Sequence, residues 1–176
     1  MSPDAIVPDT KDWTVVITQG CDECGFDPDW DVEGTTPARV RATVEPWRRT
    51  LRLPDVRERP RPGTWSPLEY ACHVRDVNRL FRQRLELMLT EDDARFEDWD
   101  QDVAALRGDY GSADPALVAE EYAAATEELA LAFEQVEGER WERRGVRSNG
   151  AEFTVRTFAI YLVHDLEHHL GDVGAS

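Results

Sequence analysis

The chain has 176 residues, 41% of them hydrophobic and 32% charged, and carries a formal net charge of −16. This length and balance predict a folded chain with its own core and exclude a disordered one. The acidic excess argues against nucleic-acid binding, which depends on clustered Lys and Arg, and no apolar run approaches the roughly 20 residues of a membrane span.

Residues 1–34 read as an irregular N-terminal extension rich in Asp, Pro and Gly. Its start, Met1-Ser2-Pro3-Asp4, lacks the charged-then-apolar pattern of a signal peptide, so a cytoplasmic protein is expected. Three cysteines make an odd count, which speaks against a disulfide framework and suits a reducing compartment. The run Trp13 to Thr18 is β-prone and predicts a short strand lying on the body. Cys21-x-x-Cys24, followed by Gly25, has the spacing of a zinc knuckle.

Thr36-Pro37 reads as a cap followed by Pro at the first helical position. Val40, Val44, Trp47 and Leu51 then form one apolar stripe, and the helix ends before Pro54. Ser66-Pro67-Leu68-Glu69 is a capping box that opens a second helix lasting to about Thr90. Its stripe, Tyr70, His73 or Val74, Val77, Leu80, Phe81 and Met88, places His73 among core residues. Cys72 points elsewhere and reads as core. Asp76, one turn after His73, reads either as a salt-bridge partner or as an acceptor for the His73 ring.

The connection from about Glu91 to Ala113 is long and contains Phe96 and Trp99. It is either an acidic loop pinned by its aromatics or a cover over a site. Asp114-Pro115 opens a third helix with Val118, Tyr122, Ala125, Leu129 and Val136 inward, ended by Gly138. Thr154 caps a fourth. The basic stretches Arg57 to Arg61 and Arg140 to Arg147 fall in connections and read as solvated. Four amphipathic helices without convincing strand pairs predict an all-α four-helix bundle over residues 35–176.

Three of the four histidines lie in the fourth helix, where His164 and His168, and also Asp165 and His169, are spaced i, i+4. Either pair puts two ligand-capable side chains on one helix face. At about 100° per residue, His169 shares the main apolar stripe with Val155, Ala159, Leu162 and Leu166, with Asp165 at its edge. A carboxylate on a core face is costly unless it is paired or bound to a metal. Asp165, His169 and His73 are therefore the sharper candidates for metal ligands; the competing reading is hydrogen-bonded core histidines in a purely structural bundle. His164 and His168 fall on the other side. They are an alternative ligand pair, or partners of Cys21 and Cys24 in a second site that fastens the extension to the helix. A reducible disulfide and two packed thiols are the competing readings of the cysteines.

Trp65-Ser66-Pro67-Leu68-Glu69, with His73 eight residues after the tryptophan, resembles the second-helix start of the DinB-like superfamily. Asp165-x-x-His168-His169-x-x-Asp172-Val173 resembles its metal-binding fourth helix. The resemblance spans about residues 35–173. It implies a metal-binding four-helix bundle in which His73, Asp165 and His169 are the ligands, with His164 and His168 as the shifted register. It also implies kinship with mycothiol-dependent maleylpyruvate isomerases and with mycothiol or bacillithiol S-transferases. The expected activity is then that of a divalent-metal-dependent enzyme. It would activate a low-molecular-weight, mycothiol-like thiol for transfer to, or isomerisation of, a small electrophile. The resemblance also suggests a homodimer. A hydrolase of small amides or esters and a non-catalytic metal-binding bundle are the alternatives. Zn2+ is the first choice of metal; Ni2+, Fe2+ and Mn2+ also suit two histidines and a carboxylate.

Overall fold

The computed structural model describes residues 6–175; Met1 to Asp4, where the sequence lacks a signal pattern, lie outside them. The Trp13–Thr18 run does not make the expected strand. It forms a 3-10 turn, Trp13–Val15, passing into a one-turn helix, α1 (Val16–Gln19). The Asp12 carboxylate caps the turn by accepting the Thr14 N–H at 3.0 Å. β-branched residues favour strands only where a neighbouring strand can pair, and here the local cap decides.

Helix α2 (Val32–Ala42) starts four residues before Thr36, with Asp31 as its cap: the carboxylate accepts the Gly34 N–H at 3.1 Å. The single helix expected from Val40 to Leu51 is split at Thr43, and α3 (Val44–Thr50) follows. Pro46 accounts for the break, because without an N–H it leaves the Ala42 carbonyl lacking its usual donor. Thr43 turns instead and donates its hydroxyl to Val40 O at 2.7 Å. The stripe survives the break, with Val40, Trp47 and Leu51 all buried.

Helix α4 (Pro67–Thr90) carries both halves of the Ser66/Glu69 capping box, the Glu69 N–H donating to Ser66 Oγ at 3.3 Å and the Ser66 N–H to Glu69 Oε2 at 2.8 Å. The long connection after it is built rather than loose. It contains strand β1 (Ala94–Phe96), helix α5 (Gln101–Arg107) and a 3-10 turn at Tyr110–Ser112. Helix α6 (Pro115–Glu134) begins at the Asp114 cap. Strands β2 (Arg144–Arg147) and β3 (Glu152–Thr154) precede α7 (Val155–Asp172), which Thr154 caps as expected.

A small sheet therefore replaces the expected absence of strands. β1 runs parallel to β2, in register Ala94 with Gly145, and β2 is antiparallel to β3. Runs of three or four residues show too few alternations to signal a strand. Gly145 lets this sheet lie on the end of α4: a Cβ there would come within 2.7 Å of Phe96 and 2.8 Å of Met88.

The basic stretches are largely exposed, as expected, and several of their arginines also tie connections to the body. Arg57 donates to the carbonyls of Gly111 and Ala113, Arg59 pairs with Glu69, and Arg143 donates to Met88 O and Glu91 O. In the bundle, α4 and α2 each pack against both α6 and α7, which places α2 and α4 on a diagonal. Trp47, Leu68, Leu85, Met88, Leu129, Phe133, Leu162 and Leu166 fill the centre. Two polar pairs lie there: Asn78 donates to Thr126 Oγ1 at 2.9 Å, and Tyr122 shares a 2.6 Å hydrogen bond with Thr43. Among the described residues, no helix is long and apolar enough to cross a membrane.

Candidate metal centre

Where α7 passes α4, the two i, i+4 pairs of α7 diverge by about the 100° that separates successive helical residues. Asp165 and His169 turn toward His73 of α4. His73 Nε2 lies 3.7 Å from Asp165 Oδ2, and His169 Nε2 lies 3.7 Å from Asp165 Oδ1. One donor atom from each of the three lies within 4.8 Å of the others. At 3.7 Å these contacts are too long for hydrogen bonds. His73 Nδ1, His73 Nε2 and Asp165 Oδ2 are buried and lack a hydrogen-bond partner among the described residues.

The third residue is oriented from behind. His169 Nδ1 stands 2.7 Å from Asp172 Oδ2. A carboxylate there holds the proton on Nδ1 and leaves the Nε2 lone pair facing Asp165, the arrangement that commonly backs metal-bound histidine. The electrostatics match. Burial pushes His73 down from its usual value, so the ring stays neutral. Burial pushes Asp165 up, but the charge of His169, and then the neighbouring His73 ring, outweigh it and hold the carboxyl at about 2. Burial also opposes charge on His169, yet Asp165 and Asp172 raise its pKa. Two imidazoles and an ionised carboxylate with unmet buried donor atoms suit a divalent cation.

Aromatic side chains enclose this cluster. Trp99 stacks on His73 with ring centroids 5.4 Å apart and planes 17° apart, Trp65 sits 5.2 Å from the same ring, and Tyr70 lies 5.1 Å from His169. The long connection is thus a cover over His73, held in part by Arg84, which donates to Glu97 O at 2.5 Å and lies over the Phe96 ring. Outside the cover is a cleft of about 1130 Å³, walled by the N-terminal segment, the Trp99 loop and α7, with Lys11, Arg61, Arg147, Asp100 and Asp172 along it. Burial pushes the Tyr70 hydroxyl up to about 12, so it enters this space as a donor.

His164 and His168 turn the other way. Trp13 lies 5.3 Å from His164 and 4.8 Å from His168, and Phe26 lies 5.3 Å from His164, so the N-terminal segment covers them. That side of α7 is therefore enclosed: His164 is only 3% exposed, and burial lowers its pKa to about 4. These two rings group with Cys21 and Cys24, not with His73. Asp76 faces away from His73, bound to Arg75 at 2.8 Å and accepting the Tyr110 hydroxyl at 2.6 Å. Cys72 is buried in the core, as expected. Two further residues belong to the site: Asp172, which the sequence shows in the fourth-helix motif but not as a partner of His169, and Tyr70, which it shows as a stripe residue of the second helix. The i, i+3 step from His169 to Asp172 was the available signal for the first; Tyr70 had none.

The sequence model of the DinB superfamily matches residues 35–173. No curated protein matches the chain. Among solved structures, the chain resembles YfiT from Bacillus subtilis, described as a probable metal-dependent hydrolase with an unusual four-helix bundle topology. The TM-score is 0.63 and the identity 16%, over 97% of this chain and 92% of that one. At that identity the likeness is one of fold.

Proposed function

We propose, from the premise that this chain belongs to the DinB superfamily, that it is a metal-dependent enzyme whose divalent ion is held by His73, Asp165 and His169. The observation that carries this reading is the Asp172–His169 contact of 2.7 Å, which aims His169 Nε2 into a cluster where His73 and Asp165 keep unmet buried donor atoms. Three protein ligands leave a position for a reactant, unlike the four of a structural site. When bound, such an ion lowers the pKa of a thiol or a water beside it.

The remaining chemistry belongs to the chain. Asp165 supplies the one negative charge, leaving room for a second anion opposite a 2+ ion. Asp172 fixes the His169 ring, and Trp99 and Trp65 keep bulk water from His73. Tyr70 presents a protonated hydroxyl beside His169, suited to donate to a charge developing on a substrate. Within this reading, a low-molecular-weight thiol is the preferred nucleophile and a small electrophile its partner, with zinc as the default ion. The cleft supports this choice, since about 1130 Å³ exceeds what a single small electrophile needs. Its mixture of charged residues with Trp13, Trp65 and Tyr70 suits a polar, sugar-bearing thiol.

The test is thiol consumption with model electrophiles, and ester or amide cleavage without thiol, in wild type and His169→Ala. Metal-dependent thiol consumption that collapses in the variant supports the transferase or isomerase. Metal-dependent cleavage without thiol selects hydrolysis, the second reading, which the description of YfiT favours. Equal rates in both proteins would remove the catalytic claim.

A further inference from the structure

We propose that Cys21, Cys24, His164 and His168 form a second, structural zinc site that fastens the N-terminal segment to α7. The four side chains each offer a donor atom, all within 4.8 Å of one another. Cys21 Sγ stands 3.7 Å from His168 Nδ1. Zinc–sulfur and zinc–nitrogen bonds of about 2.3 and 2.0 Å in a tetrahedron place neighbouring ligand atoms roughly 3.3–3.8 Å apart, so little movement closes the site. The spacing Cys-x2-Cys with His-x3-His falls within the range of Cys2His2 zinc sites.

The chain between the cysteines is shaped for this task. The Cys21 N–H donates to Phe26 O at 3.0 Å and the Gly25 N–H to Cys21 O at 2.8 Å, forming a tight turn that presents both thiols to α7. Gly25 adopts a φ of 75° at the bend, a conformation that favours glycine.

A separate observation points to a ligand. His164 is 3% exposed, and its Nε2 is buried without a hydrogen-bond partner among the described residues. A buried imidazole nitrogen is ordinarily satisfied. Packed thiols alone would leave it orphaned beside Trp13 and Phe26. Both cysteines are free in this structure. A zinc ion satisfies all four groups together. Its binding releases the two thiol protons, and two thiolates with two neutral imidazoles balance the 2+ charge, giving a neutral site whose Cys21 and His164 are buried and whose Cys24 lies at the exposed edge.

Four protein ligands close this site, so its role is structural and distinct from that of the three-ligand cluster. What it holds in place is the segment that brings Trp13 onto His164 and His168 and lines the cleft with Lys11 and Asp12. The Arg39–Glu167 pair, at 2.9 and 2.6 Å, clamps α2 to α7 beside it.

The deciding experiment is cobalt reconstitution of the reduced, chelator-treated full chain. A thiolate-to-cobalt charge-transfer band reports this site alone, because His73, Asp165 and His169 carry no sulfur. The expected band is present in wild type and in His73→Ala and absent in the Cys21→Ser, Cys24→Ser double variant. The double variant also loses one equivalent of zinc by elemental analysis of the purified protein. Absence of the band from folded wild type, its loss in His73→Ala, or equal zinc content in wild type and double variant would each overturn the proposal. Recovery of Cys21 and Cys24 as a disulfide from freshly isolated protein would do the same. Should the double variant not fold, the wild-type and His73→Ala spectra still decide.

Discussion

Replacing Asp165 by Asn keeps the side-chain shape and removes its charge. In the metal-free protein the carboxyl sits at about 2 instead of the ordinary 3.8, burial being outweighed by His169 and His73. That drop corresponds to about 2 kcal/mol of stability at neutral pH. Because the folded value lies below the unfolded one, this stability is fully present above about pH 4 and disappears as the pH falls toward 2. Without metal, Asp165→Asn should therefore melt about 4–8 °C below its parent at pH 7, and the gap should close in strong acid. With metal at a hundredfold excess over Kd, the parent gains about 2.7 kcal/mol, or roughly 5–10 °C, and the variant gains nothing from this site. A shared Cys21→Ser, Cys24→Ser background keeps the cysteine cluster from contributing to either protein. Thermal melts in chelator and in excess Zn2+ or Ni2+ separate the two effects. If the variant's midpoint rises with metal as far as its parent's, Asp165 is not a ligand and the reasoning about the three-residue cluster fails.

Gly145→Val drives a branched side chain into Phe96 and Met88, which are 2.7 and 2.8 Å from the first added carbon. It should cost about 1–3 kcal/mol in denaturant melts; an unchanged midpoint would show that the sheet does not rest on α4 as described. Asp76→Asn weakens bonds to Arg75 and Tyr110 and should leave metal affinity untouched, since Asp76 faces away from His73. The Asp76 pKa is lowered: burial raises it, and Arg75 and Tyr110 outweigh that effect. The variant's deficit should thus be full above pH 4 and fade as the pH falls below it. A deficit that persists in acid would refute the charge argument. Trp99→Ala uncovers His73 without removing a donor atom. Elemental analysis should find metal content retained, while kcat/KM in the thiol assay falls at least tenfold; loss of metal instead would make Trp99 part of the binding shell.

Caps and periodicity made most of the bundle legible. Ser66 with Glu69, Asp114 with Pro115, and Thr154 each start a helix where the sequence places it, because a side-chain cap is a local interaction. The same locality explains the misses. Thr36-Pro37 carries the form of a cap, but Asp31 lies upstream with a carboxylate that reaches Gly34 first. β2 has a local partner in β3 across the Ser148–Gly150 turn, but runs of four and three residues are too short to read as strands, and its other partner, Ala94–Phe96, lies some 50 residues away. The cluster was legible as a set of faces: the 100° step separates Asp165 and His169 from His164 and His168. What covers each face was not, because burial of His164 depends on Trp13 and Phe26, and the stacking of Trp99 on His73 on a fold formed elsewhere.

Cys21 and His168 meet across 147 residues of chain. During synthesis at roughly 5–20 residues per second, the two thiols leave the ribosome about 7–30 s before the histidines that complete their cluster. For that interval they are unprotected, open to oxidation or to a copper ion that thiolates bind more avidly than zinc. Which metal reaches this protein is therefore settled partly by timing, and refolding a complete chain in a chosen metal need not reproduce what a growing chain acquires.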